Sequence, residues 1–285
     1  NKSTYLSFHA FGSMIKEGSR VNATDGSAAG GLLVRNQRRL YLYTGIYDVS
    51  AGFATDVGYV NRTGVTVVPA YVKYTWFPSA SLQRLEPYYW SRHARDRRSG
   101  LVESFNAFGL KATMPRQTEI QGSVRVATEG FAGRRFNRNS EYLETTTQLL
   151  NQLRLEGKIV RGNSIFYDPK NPLQGHGTEA YLEMELQPTD RFRSSVKVTY
   201  ADFHGQQSGR KLYDATIVRN TTVFQLNGQF FLRAITEYNT YQDRINADFL
   251  MSFTYIPGTV MYLGYGSVFE KLAWQDHEYV TANRY

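Results

Sequence analysis

Apolar and polar side chains alternate along almost the whole chain, and a period of two residues is the period of a β-strand. In 181–187, Leu182, Met184 and Leu186 point one way while Glu183, Glu185 and Gln187 point the other. In 192–200 the apolar set is Phe192, Val196, Val198 and Tyr200, against Arg193, Ser195, Lys197 and Thr199. A third row, Ala247, Phe249, Met251, Phe253 and Tyr255, stands opposite Asp248, Ser252 and Thr254, with Leu250 as its exception. A sheet apolar on one face and polar on the other follows.

The alternation predicts about 15 strands, at 2–11, 32–47, 51–60, 66–77, 81–93, 101–113, 117–129, 141–152, 158–168, 178–187, 190–203, 211–226, 229–240, 244–256 and 259–267. Within 142–158 the leucines 149, 150, 153 and 155 also fit a short helix. The connections fall into two kinds. Short ones, such as 48–51, 78–80, 114–117, 188–190, 227–228 and 257–258, carry the Gly, Pro, Asn and Asp of tight turns. Longer ones lie at 12–30, 91–100, 130–140, 168–177 and 204–209, and the two kinds alternate along the chain with few exceptions, 61–64 and 241–243 being too short to classify alone.

That order predicts an all-β, antiparallel up-and-down transmembrane β-barrel, because outer-membrane barrels keep short turns on the periplasmic side and long loops outside. Strands of ~10 residues suit a tilted span of the bilayer. Single-chain bacterial barrels have an even strand number, so 16 or more strands are expected, with 269–284 as an outer loop and a closing strand starting near Tyr285. The whole of 1–285 is expected to be one barrel domain, a fragment without its closing strand.

Composition narrows the partners. There is no Cys, so neither disulfides nor thiolate chemistry contribute. No run reaches the ~18 apolar residues of a spanning helix. A net charge of +8 suits an anionic membrane surface, an acidic glycan or nucleic acid. Nucleic acid is the poorest of these, since Tyr and Phe alternate along the strands instead of clustering with basic residues as a stacking platform. The five His, at 9, 93, 176, 204 and 277, show no metal-ligand spacing, and no metal or cofactor is expected.

Three segments, Gly52–Arg62, Phe230–Asn239 and Tyr255–Tyr265, resemble the C-terminal region of a large family of Gram-negative outer-membrane proteins. Its members typically carry a family-nine-like carbohydrate-binding domain ahead of the barrel. The resemblance implies a bacterial outer-membrane location and a barrel fold. That sugar-binding domain is not part of these 285 residues, so no sugar-binding residue is carried over.

The candidate site residues follow from these patterns. Arg92, Arg95, Arg97, Arg98, Arg134, Arg135 and Arg138 fall in connections assigned to the outer side, where guanidinium groups would hold lipopolysaccharide phosphates or an anionic solute bidentately. Glu183, Glu185, Arg233 and Glu237 are candidates for the lumen. Glu183 and Glu185, two residues apart on one face, also suit acid–base work on a sugar, and the alternative function is a soluble carbohydrate-active β-domain. The bland alternative is a solvated charged wall. Tyr41, Tyr43, Tyr47, Tyr59, Tyr71, Tyr74, Tyr88, Tyr89, Tyr238, Tyr255 and Tyr262 are expected to form aromatic girdles at the two membrane interfaces, with sugar-binding platforms as the other option. The expected function is a porin-like channel or membrane anchor without catalytic residues. Its partners would be outer-membrane lipid, lipopolysaccharide and, for an anchor, a partner protein or periplasmic domain.

Overall fold

The computed structural model describes residues 3–15, 24–55, 60–271 and 279–281. They form a single 17-stranded sheet, and chain neighbours pair antiparallel wherever a register is defined. The strands are β1 (Thr4–Ile15), β2 (Thr24–Asn36), β3 (Leu40–Val49), β4 (Val65–Tyr74), β5 (Arg84–Asp96), β6 (Val102–Met114), β7 (Thr118–Phe131), β8 (Arg134–Asn137), β9 (Ser140–Leu150), β10 (Leu153–Phe166), β11 (Leu173–Thr189), β12 (Phe192–Gly205), β13 (Lys211–Gln225), β14 (Phe230–Asn239), β15 (Arg244–Ile256), β16 (Thr259–Lys271) and β17 (Tyr279–Thr281). Most strands have the length expected, and the 142–158 stretch is two strands around a turn at 151–152. The Gln148 side chain donates to the Leu150 and Asn151 carbonyls there.

Several boundaries differ from expectation. A strand over 32–47 is broken at 37–39, where the Gln37 amide donates to the Leu40 carbonyl in a turn without Gly or Pro. The described part of 51–60 is no strand. Its backbone lies against Gly26, where a Cβ would meet Phe53 Cα, and the Ala54 amide donates to Ser13 Oγ. Residues 56–59 lie outside the described set. The two corrections cancel, so every later strand keeps its expected direction.

The long connections are shorter than expected because the strands run on into polar sequence. Arg92 and Arg95 belong to β5, His176 to β11, and Arg134 and Arg135 to the short strand β8, which pairs back on β7. Alternation of apolar residues stops where a strand leaves apolar surroundings, but its hydrogen-bond ladder continues. The return after β16 starts at Tyr279, earlier than the expected Tyr285.

By contact the chain divides into two compact units, residues 1–114, 121–142 and 162–175 in the first, and 115–120, 143–161 and 176–285 in the second. In the first unit, β2 to β6 form a meander whose polar face is closely packed at Val34, Val65, Ala94 and Ala107. In the second, β12 to β16 form another, with tight turns at 190–191, 226–229 and 257–258.

Candidate functional site

Exposure is inverted relative to a water-soluble sheet. In the second unit the register sets Phe224, Leu232, Met251 and Leu263 side by side across four strands. Thr222, Ala234, Phe249 and Tyr265 form the adjoining row. Leu182 is 57% exposed, Leu263 66% and Tyr265 61%, whereas Ser252 on the opposite face is 2% exposed. The small Thr222 and Ala234 leave an apolar hollow of about 570 Å³ between these two rows. The first unit repeats the pattern. Leu33, Ile46, Val68 and Phe108 are exposed on one face, while the other carries Glu86 at 3% exposure. Contiguous exposed apolar surface on this scale needs an apolar partner.

The polar face of the second unit is a ladder of ion pairs. Glu183 meets Lys197 Nζ at 3.4 Å, and Glu185 accepts from Arg193 at 2.6 Å. Arg219 reaches Glu237 at 3.4 Å, and Glu237 also accepts from Asn246. Tyr181 donates to Glu156 at 2.7 Å, and Lys197 lies over the Tyr181 ring. Each of the two glutamates expected as an acid–base pair therefore has its own cation from β12, and the solvated charged wall is what the strands build. Arg233 is on the same face, opposite Val223 and Leu250, and exposed.

The arginines expected to act together are spread over different tasks. Arg97 binds Asp48, Thr66 and the Val49 carbonyl, and Arg98 binds the Ala51 carbonyl and Thr63. Arg97 thus ties the ends of β3 and β4, and Arg98 the connection between them, to the connection after β5. Arg138 pairs with Glu129 at 3.3 Å and donates to Ser164, and Arg134 lies over the Phe136 ring. Arg92, Arg95 and Arg135 make no hydrogen bond or ion pair among the described residues and are exposed. Of the seven arginines expected to bind an anion, these three have side chains without a hydrogen-bond or ion-pair partner among the described residues.

Sequence reasoning missed two charge clusters in the first unit. Arg62 donates to both oxygens of Glu103, at 2.9 and 2.8 Å, and to Asp96 at 2.7 Å. Glu103, together with Asp96, holds the Arg62 guanidinium above its ordinary pKa against the lowering effect of burial. Glu86 accepts from Thr75 at 2.8 Å and pairs with Lys73 at 2.9 Å. A signal for the second cluster existed, because Glu86 falls in the same period-two row as Tyr88 and Trp90. Arg62 gave none, since it lies between strands.

The expected girdle is also corrected. Tyr41, Tyr43, Tyr47, Tyr71 and Tyr88 face the same way as Lys73, Glu86 and Trp90, away from the exposed apolar rows. Only Tyr74, Tyr89 and Tyr238 share the apolar face by register, Tyr262 opposes the buried Ser252 on the polar face, Tyr255 is the unpaired residue of a bulge, and Tyr59 lies outside the described residues. Alternation alone does not say which face a tyrosine row joins.

No family model matches the chain, and no curated protein does. Among solved structures, a loop-deletion mutant of OmpT, an outer membrane protein of Vibrio cholerae, is similar at 10% identity over 93% of this chain and 99% of that chain, with a TM-score of 0.36. The siderophore receptor PirA from Acinetobacter baumannii gives 8% identity over 93% and 63%, with a TM-score of 0.35. The Pseudomonas putida toluene transporter TodX gives 13% identity over 94% and 81%, with a TM-score of 0.28. Likenesses at these scores carry no weight on function; what the strands expose does.

Proposed function

We propose that the chain is a β-barrel of the bacterial outer membrane, with its apolar rows in lipid and its polar rows lining an interior that passes or holds a polar solute. One observation carries this: Leu182 and Met184 are exposed, whereas Glu183 and Glu185, which alternate with them on the same strand, are only half-exposed. Water would penalise that arrangement by ~25 cal/mol for every Å² of apolar surface, and hydrocarbon removes the penalty. Strands of 10 to 17 residues meet the length a tilted span requires.

Turns such as 151–152, 190–191 and 257–258 then lie on the periplasmic side, and 97–101, 167–172 and 206–210 on the outer side. The unpaired Arg92, Arg95 and Arg135 take phosphate or another anion from the outer leaflet. The resemblance of three motifs to a family of outer-membrane barrel proteins belongs to the same proposal. The measurement that tests it is extraction and gel mobility. The chain is expected in the detergent-soluble membrane fraction, with mobility that changes on boiling, and ion conductance in a planar bilayer. A monodisperse monomer in detergent-free buffer would overturn the proposal.

A further inference from the structure

The polar face of the first unit carries a patch with no counterpart in the ion-pair ladder of the second. Across β3, β4 and β5 the register aligns Tyr43, Tyr71 and Trp90 in one row and Tyr41, Lys73 and Tyr88 in the next. Ring centroids are 5.8 Å apart for Tyr41 and Tyr71 and 6.0 Å for Tyr71 and Tyr88. Three strands at a spacing of ~4.8 Å make the patch about 10 Å wide, the scale of two linked pyranose rings.

Two details make it a surface for a ligand as well as a packed wall. The Tyr88 ring fills the space over Gly109, its cross-strand partner, where a Cβ would stand 2.2 Å from the ring. The ring is thereby laid against the sheet, with its other side turned away from the backbone. The polar edges of the patch are also largely uncommitted. Tyr88 Oη accepts from Gln121 at 2.9 Å, and Tyr43 shares a hydrogen bond with Tyr47, but the Tyr41 and Tyr71 hydroxyls and the Trp90 indole N–H have no hydrogen-bond partner among the described residues. Trp90 is 42% exposed although it packs on Phe105.

From these features we infer that Tyr41, Tyr43, Tyr71, Tyr88 and Trp90 form a binding patch for a neutral saccharide. Aromatic faces take the C–H side of a sugar ring, and hydroxyl and indole edges take its hydroxyl groups. A hydrocarbon would leave those edges unpaired, which costs binding free energy. The lysine within the patch is already held by Glu86. The inference rests on the proposed barrel, which makes this face the interior wall.

The test uses the full chain in detergent micelles, with maltotriose, cellotriose and triacetylchitotriose as probes and toluene and inorganic phosphate as controls. Tryptophan fluorescence is expected to change saturably with at least one trisaccharide and with neither control. Trp90→Phe should remove the signal. Tyr71→Ala should weaken binding at least tenfold and Tyr71→Phe severalfold, while Glu183→Gln in the ladder leaves it unchanged. Tyr71→Phe keeps the ring, so it reads the hydroxyl even if Tyr71→Ala fails to fold. If heat-modifiable mobility and conductance are present but no trisaccharide binds, or toluene or phosphate binds at the same residues, the patch is overturned and the barrel stands. If mobility and conductance are both missing, the barrel falls and the patch with it.

Discussion

Phe253 stands opposite Met261 across the β15–β16 hairpin, although 257–258 is a two-residue turn that pairs Ile256 with Thr259. The register shifts between Thr254 and Ile256, so Tyr255 is an extra residue in a bulge. The sequence alone offers two choices for β16, a two-residue turn with Val260 and Tyr262 on the apolar side or a three-residue loop with Met261, Leu263 and Tyr265 there, and it favours the second row because the other contains Gly264 and Gly266, which offer lipid little surface. The bulge gives the second row with the first turn. Leu263→Arg is therefore expected to destabilise the folded state by about 2–4 kcal/mol at mid-bilayer depth. Tyr262→Arg, on the other face, should be nearly neutral. Deleting Tyr255 should close the bulge while leaving Phe253 opposite Met261, so the Met261 and Leu263 row should stay in lipid and heat-modifiable mobility should survive. Urea unfolding in lipid vesicles separates the first two variants, and equal losses would contradict the assignment of faces.

Among the described residues the Arg62 guanidinium bridges Asp96 and Glu103. Arg62→Ala leaves two carboxylates facing each other without it, and a cost of about 1–3 kcal/mol is expected. Arg62→Lys should recover only part of it, because an ammonium does not reproduce the fork that bridges two acids. Limited proteolysis within 60–64 reads the loosened connection directly.

The ladder should matter for selectivity and little for stability. Pairs as exposed as Glu185 with Arg193 contribute ~0.2–1 kcal/mol. Glu183→Gln together with Glu185→Gln should leave thermal unfolding nearly unchanged, yet shift the reversal potential of the channel toward anions. A Glu183→Lys, Lys197→Glu exchange should restore the original potential.

Lys73 and Glu86 should behave in the opposite way, because the Glu86 carboxylate is buried. Lys73→Met leaves that carboxylate with Thr75 and costs about 1–3 kcal/mol or more. Lys73→Met combined with Glu86→Leu should recover much of the loss, since removing both charges removes the unpaired one. Denaturant midpoints of the two single variants and the double variant test this.

Period-two alternation was enough to specify most of the strands and the apolar face of β11, β12 and β15, because successive side chains on a strand must point to opposite faces. The alternation of short and long connections carried the meander for the same local reason. Tertiary structure decided what local pattern could not encode. Pairing register joined a two-residue turn to the Met261 and Leu263 row through one bulged residue and put Tyr41, Tyr43, Tyr71 and Tyr88 on the face away from the apolar rows, and partners distant in sequence claimed Arg62, Arg97 and Arg138. Each of those outcomes depends on which residue of another strand stands opposite, and a single chain's pattern holds only its own half of that pair.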